Sequence, residues 1–221
     1  MNTEAQAGTD FEIPETFDYN ESDLERPRDQ LRVTEKAEIF KGVVTKLSRS
    51  IGRNKKSPEK SNNNLQLEVR LAALDEAGNK FGSITNWVTI PVPNPKVSGH
   101  KPYATGKERD MQFLRAREFI RSVMGDDALP PFPKKKEDGT YFLPDTGDAV
   151  TQQGYQARVK EIDDKTISVL QKWWKECPNA EAANAVLYFA TKQKDGSPYV
   201  NVAFTRHDDG GKTVVTEGFT S

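Results

Sequence analysis

Alternating apolar and polar residues predict three β-strands between residues 38 and 92. The segment Glu38–Leu47 is rich in Ile, Val and Phe, and Leu65–Leu71 alternates with the period of two typical of a half-buried strand. A third strand is predicted over Phe81–Val92, and the same alternation places Trp87 on the face opposite the aliphatic residues. Gly42, inside the first strand, predicts a β-bulge or a sharp bend.

Helical periodicity follows in two later segments. Residues Lys107–Met124 repeat apolar side chains every three to four positions, and Gly125 follows as a stop signal. Residues 163–176 predict a second helix with Asp164 as its candidate N-cap, and residues 126–147, rich in Pro, Asp and Lys, predict no regular structure. Between these segments, the type of a short ordered element around residues 152–161 is left open.

The C-terminal part predicts a β-hairpin. The segments NAVLYFATKQ and PYVNVAFTR, at residues 184–193 and 198–206, have strand composition and are joined by the turn signal KDGS. A short further strand is predicted in KTVVT, at residues 212–216. The chain therefore supplies three strands, a helical stretch, and then two or three strands.

This order predicts a mainly β fold with an α insertion. We expect an OB-like five-stranded antiparallel barrel with a large helical insertion between strands 3 and 4. Residues 1–30 would form an acidic flexible tail, residues 31–221 a single OB-like domain, and residues 95–183 the helical insertion. Another small β-barrel and an α+β sandwich are the alternatives for the fold.

The distribution of charge is uneven along the chain. Residues 1–25 contain eight acidic residues and no Lys or Arg, so the rest of the chain is net basic although the total is −1. Eleven basic residues stand against four acidic ones between residues 26 and 60. A basic body indicates a polyanionic partner, whereas the acidic tail indicates a competitor for the same surface or a protein-docking segment. The alternative is that both are solvated surfaces without such a role.

Composition and motif searches exclude several classes of protein. With 35% hydrophobic residues the chain can fold as one domain of moderate size, but no apolar run approaches the roughly 20 residues of a membrane span. The single cysteine and two histidines argue against a disulfide framework and a zinc finger, and the N-terminal residues do not resemble a secretory signal. We expect no metal, no cofactor, no membrane and a cytoplasmic location.

Enzymatic motifs are also missing from the sequence. It contains no P-loop, GxSxG or HExxH pattern. The nearest candidates for a metal-dependent nuclease are Asp163–Asp164 with Lys165, and Asp208–Asp209, which we interpret as helix caps or solvated turns. We therefore expect a protein that is not an enzyme.

Cations and aromatic residues together are what binding of a single-stranded nucleic acid requires. Cations neutralise phosphates, and aromatic faces stack on unpaired bases with little sequence preference. Trp87 is either exposed for stacking or part of the core, and of Trp173 and Trp174 one is expected in the core and the other half-covered. The candidate nucleic-acid-binding residues are Arg49, Arg53, Lys55, Lys56, Lys60, Arg70, Trp87, Tyr188, Lys192, Tyr199 and Arg206.

Several segments occur in order along the chain: the run EIFKGVVTKL, a long basic loop predicted at residues 48–64 (SRSIGRNKKSPEKSNNN), NNLQLEVRLAALDEAGN, FGSITNWVTIPV, the helix and VLYFATKQKDGSPYVNVAF. This series resembles the single-stranded DNA-binding proteins of tailed bacteriophages. The resemblance covers residues 36–206 and implies an OB fold acting in replication, recombination or repair inside an infected bacterium. It also implies an acidic, aromatic-containing tail that docks replication or recombination proteins and competes with DNA. Here that tail is N-terminal, with Phe11, Phe17 and Tyr19 as its partner-binding aromatics.

Two other functions remain open at this point. One is a non-catalytic β-barrel protein–protein interaction module of a phage or bacterial assembly. The other is a binder of single-stranded RNA, which charge and aromatic content do not distinguish from a DNA binder.

Overall fold

A computed structural model describes residues 31–34, 36, 38–53, 61–177, 185–193, 200–207 and 213–214, with the backbone alone at 205–207 and 213–214. The predicted tail, residues 1–30, lies outside the described residues. The strands are β1 (Glu38–Ile51), β2 (Leu65–Leu74), β3 (Lys80–Thr89), β4 (Lys134–Lys135), β5 (Tyr141–Phe142), β6 (Ala149–Val150), β7 (Val186–Gln193), β8 (Val200–His207) and β9 (Thr213–Val214). The helices are α1 (Gly106–Met124) and α2 (Gln152–Glu176), with a 3₁₀ turn at Asp126–Ala128.

The five long strands form one antiparallel sheet in the order β3-β2-β1-β7-β8, and the short β9 pairs with β8. The predicted closed barrel is wrong, because no pairing joins β3 to β8 within the described strands. Helix α1 instead contacts both β3 and β8. The mainly β prediction with five antiparallel strands is confirmed.

The core lies between the inner face of this sheet and the two helices. Leu67, Val69 and Leu71, alternate residues of β2, are fully buried on that face. Phe119 of α1 packs against Phe204 of β8, with ring centroids 4.7 Å apart. Burying each such side chain contributes about 1.5–3 kcal/mol to the stability of the fold, and this contact therefore stabilises the packing of α1 on the sheet.

The first strand differs from its predicted form in length and in the position of its bulge. It runs to Ile51, four residues beyond the predicted end at Leu47. The register is continuous through Gly42 and shifts between Val44 and Lys46, so the bulge expected at Gly42 lies at Thr45. Gly42 serves a different purpose, because a Cβ there would collide with the Phe189 ring and with the Ala72 carbonyl oxygen.

Helix α2 is longer than predicted at its N-terminal end. It begins after Thr151, whose hydroxyl accepts a hydrogen bond from the Gly154 N–H at 3.1 Å, as an N-cap does. Asp164 is therefore not the cap: it lies inside the helix and pairs with Lys160 at 2.6 Å. The ordered element left open around residues 152–161 is the first part of this helix.

Residues 126–147, predicted to lack regular structure, contain the 3₁₀ turn and the strands β4 and β5, which form a small antiparallel sheet with β6. The alternation of apolar and polar residues could not predict this sheet, because each of its strands has only two residues.

The first described residues are hydrogen-bonded to two strands of the main sheet that are not neighbours, β3 and β7. The Leu31 N–H donates to the Ser83 carbonyl of β3 at 2.9 Å, and the Gln193 N–H of β7 donates to the Thr34 carbonyl at 2.8 Å. Leu31 also packs over Gly82. The chain that follows residue 30 is thus anchored at β3.

Candidate nucleic-acid interface

The side chains of β1–β3 that point away from the core form a polar surface, which we call the outer face. The antiparallel register places them in rows, since residues directly opposite each other share a face. One row contains Lys46, Arg70 and Thr85, and the next contains Ser48, Glu68 and Trp87. The third row contains Ser50, Gln66 and Thr89.

The bulge at Thr45 decides which residues of β1 reach this face. Strict alternation after Lys41 would turn Leu47 outward and Lys46 inward. The extra residue reverses the alternation, so that Leu47 is buried and Lys46 is exposed opposite Arg70. The Thr45 hydroxyl donates to the Arg70 carbonyl oxygen at 3.2 Å, and this bond stabilises the bulge.

Lys46 and Arg70 form a pair of like charges on neighbouring strands. Directly opposite side chains have Cβ atoms about 5 Å apart, and like charges in that position destabilise a sheet. Both side chains are exposed, and neither takes part in an ion pair between described residues. An anion placed between them would relieve this repulsion.

Trp87 lies on the outer face with 52% of its surface exposed. The alternative that it belongs to the core is therefore wrong. Its neighbours along the face of β3 are Thr85 and Thr89, and Glu68 of β2 lies directly opposite. An exposed indole flanked by hydroxyls, one row from the two exposed cations Lys46 and Arg70, offers a flat apolar surface next to positive charge.

Arg49 lies apart from these residues. It belongs to β1 rather than to the predicted loop, and its register partner is the buried Leu67. Its guanidinium lies over the Trp174 ring of α2, 5.7 Å from the ring centroid. Burial raises the pKa of the nearby Cys177 thiol, and the Arg49 charge offsets part of that rise. Arg49 thus packs against the C-terminal end of α2.

The remaining predicted site residues are more dispersed. Tyr188 is half-buried and pairs with Lys41, which follows the outer alternation on the other side of the bulge. Lys192 is half-buried opposite Asn201, Arg53 is exposed just after β1, and Arg206 lies in β8, where only the backbone is described. Outside the described residues lie Lys55, Lys56, Lys60, Tyr199, Phe11, Phe17 and Tyr19.

Hydrogen bonds hold the end of the β1–β2 loop against the loop after β3. The Asn94 N–H donates to His100 Nδ1 at 2.9 Å, so the other ring nitrogen of His100 donates to the Asn62 carbonyl at 2.8 Å. Asn94 Nδ2 also donates to the Asn63 carbonyl at 3.0 Å. The loop that carries the predicted basic residues therefore ends beside residues 94–100.

Lys41 and Lys46 were missed as site residues. Lys46 had a detectable signal, because it precedes Leu47, and a leucine that must be buried turns its neighbour outward. That signal was not used, because the bulge was expected at Gly42 rather than at Thr45.

The candidate nuclease carboxylates have structural roles in the described part of the chain. Asp163 accepts hydrogen bonds from Arg109 at 2.8 Å and from Arg117 at 2.9 Å, which joins α2 to α1. Burial raises the pKa of Asp163 and lowers that of Arg117, and the attraction between the two charges offsets part of each shift. The described residues contain no cluster of three His, Cys, Asp or Glu side chains that could hold a metal. Asp208 and Asp209 lie outside the described residues.

No protein family, curated protein or solved structure matched the chain. Among the described helices, none is long and apolar enough to cross a membrane.

Proposed function

We propose that the outer face binds single-stranded DNA with little sequence preference, in phage DNA replication, recombination or repair. The observation that carries the proposal is the exposed Trp87 indole one row from Lys46 and Arg70, two cations that form no ion pair with another described residue. Phosphates would be neutralised by the two cations, and an unpaired base would stack on the indole. A duplex keeps its bases stacked on each other, so it offers the face only phosphates.

We also propose that the sheet is an OB-type barrel opened between its third and fifth strands. Two observations support this: β1 pairs with both β2 and β7, and α1 contacts the two strands that would otherwise close the barrel. In OB folds, the face formed by the second and third strands binds oligonucleotides. Arg70 and Trp87 lie on the corresponding strands here.

The acidic tail is proposed to compete with DNA for the outer face or to dock replication and recombination proteins through its aromatics. The position of Leu31 supports the first role, since this first described residue is hydrogen-bonded to β3, the strand that carries Trp87. Deleting residues 1–25 is expected to tighten DNA binding, most at low salt where charges are least screened. Unchanged or weaker binding would contradict the competing role.

The binding proposal is tested with fluorescence anisotropy of labelled oligo-dT, with a duplex and an oligo-U of equal length for comparison. We expect oligo-dT to bind tightly, the duplex to bind weakly, and the Trp87→Ala variant to lose about 5- to 150-fold in affinity for oligo-dT. Phe81→Ala is the matched control, because Phe81 is an equally exposed aromatic (54%) at the other end of β3.

Equal losses for Trp87→Ala and Phe81→Ala would refute a specific role for the indole. Tighter binding to oligo-U than to oligo-dT would favour an RNA function. No binding to any of the three, at low salt and with the tail deleted, would refute the proposal and leave the protein–protein module as the candidate.

A further inference from the structure

A cleft of about 400 Å³ lies between the two helices and the loop after β3. Its volume falls within the lower part of the range of small-molecule sites. The lining combines aromatic and aliphatic side chains with two acid–base pairs, Arg109–Asp163 and Lys160–Asp164. It also includes Pro91, Tyr103, Tyr155, Gln156 and Ile167.

Tyr103 is held in this cleft by its backbone neighbours rather than by its own side chain. The Pro102 carbonyl accepts a hydrogen bond from Gln112 Nε2 at 3.0 Å, and the Ala104 N–H donates to the Glu108 carboxylate at 2.6 Å. The second bond lies beside the N-cap of α1, where the Thr105 hydroxyl accepts a hydrogen bond from the Glu108 N–H at 3.1 Å. The half-buried Tyr103 ring itself makes no ring contact or side-chain hydrogen bond with other described residues. Tyr103 thus supplies a positioned aromatic ring to the lining of the cleft.

Tyr155 lines the same cleft from the first turn of α2. Its ring lies 5.0 Å from the Tyr141 ring at an angle of 59°, which fixes its orientation. Two tyrosines at the beginnings of two helices therefore line one opening. Gln156, next to Tyr155, adds an amide that can both donate and accept a hydrogen bond.

The charges around the cleft are already compensated. Arg109 pairs with Asp163 at 2.8 Å, and Lys160 pairs with Asp164 at 2.6 Å. A free anion would have to compete with these carboxylates. An uncharged planar ring needs only the aromatic and aliphatic walls, so the lining favours a ring over a phosphate.

We propose that this cleft receives one unpaired nucleobase of the DNA strand that lies on the outer face. The inference rests on the proposed function and adds a second base site to it. Trp87 lies near the end of β3, and Pro91, which lines the cleft, follows two residues after that end. Four residues at no more than about 3.3 Å each place the two positions within about 13 Å of each other. A bound strand can therefore place one base on Trp87 and a later base in the cleft.

The test uses the full chain and an oligo-dT series in which one position at a time is abasic. For the wild-type protein, we expect two positions at which the missing base weakens binding about tenfold, one for each base site. Tyr103→Ala should abolish the penalty at one of them and leave the other unchanged. Tyr103→Phe, which keeps the ring, should retain both penalties.

The possible failures can be told apart. If oligo-dT does not bind at all, the proposed function fails. If oligo-dT binds and Trp87→Ala weakens it, but Tyr103→Ala leaves every abasic penalty as in the wild type, the outer face stands and the cleft proposal is refuted. A Tyr103→Ala variant that is unfolded by circular dichroism is replaced by Ile167→Lys, which fills the cleft and should erase the same single penalty.

Discussion

The ion-pair cluster between the helices allows a sharp prediction for two adjacent aspartates. Asp163 has a side chain only 8% exposed and bonds Arg117, which is 13% exposed, and Arg109, which is 41% exposed. Asp164 is 60% exposed and pairs with Lys160, which is 77% exposed. The same substitution at neighbouring positions of one helix therefore tests a buried pair against a surface pair.

Asp163→Asn is expected to lower the free energy of unfolding by about 3 kcal/mol. Removing one partner of a buried ion pair costs about 3–5 kcal/mol, because the other charge is left without its counterion. The lower figure applies since the amide oxygen still accepts one hydrogen bond, and the half-exposed Arg109 adds at most about 1 kcal/mol. Asp164→Asn should lower the free energy of unfolding by less than about 0.5 kcal/mol, because exposed ion pairs four residues apart on a helix contribute no more than this to stability.

Urea denaturation at neutral pH, followed by circular dichroism, measures both values. The denaturation midpoint of Asp163→Asn should fall strongly at an unchanged slope, whereas that of Asp164→Asn should stay near the wild-type value. Equal midpoints for the two variants would refute the assignment of Asp163 as the buried link between α1 and α2.

Two further predictions concern the sheet. Gly42→Ala should destabilise the fold by about 1–3 kcal/mol in a urea titration, because the added methyl group overlaps the Phe189 ring and the Ala72 carbonyl oxygen. Gly106→Ala is the control and should be neutral or stabilising, because a Cβ at Gly106 meets nothing within 4 Å. Equal effects of the two substitutions would contradict the close approach of Phe189 and Ala72 to Gly42. Hydrogen bonds from Asn79 lower the pKa of Asp75 in the β2–β3 turn, so its contribution to stability is present above the ordinary value of 3.8 and is lost as the pH falls through the lowered pKa. Thermal unfolding should therefore show the wild type losing more stability on acidification than Asp75→Asn, and parallel pH profiles would contradict it.

The face of β3 on which Trp87 lies could be predicted, because β3 follows a simple period of two: Ile84 and Val88 occupy one set of register positions and Trp87 the other. Which of the two faces is exposed was left open by the sequence, and the structure shows that it is the face of Trp87. The end of α1 was predictable for a similar local reason, since Gly125 has a positive φ of 93° and its N–H bonds the Arg121 carbonyl. Trp173 is buried and Trp174 half-buried, which follows from their 100° separation on a helix.

The bulge at Thr45 could not be located from the sequence. Glycine commonly marks bulges, which favoured Gly42. The reason for that glycine is the Phe189 ring of β7, more than a hundred residues later in the chain. Because contacts between distant segments decide which residues face outward, Lys46 was missed as a member of the candidate site.

Barrel closure was mispredicted for the same physical reason. The order of strands along the chain is compatible with both a closed and an open sheet. What separates β3 from β8 is helix α1, whose Phe119 packs on Phe204 of β8. Whether a helix lies between two edge strands depends on packing rather than on any local period.

The salt dependence of oligo-dT binding tests the outer face most directly. Each phosphate neutralised on a single strand contributes about −0.7 to the slope of log K against log salt concentration, so Lys46 and Arg70 together account for about −1.4. The double variant Lys46→Ala/Arg70→Ala should therefore bind more weakly and with a slope shallower by about 1.4 than the wild type. A weaker affinity with the wild-type slope, or no change in either, would contradict the account, because the two cations would then make no contact with phosphate.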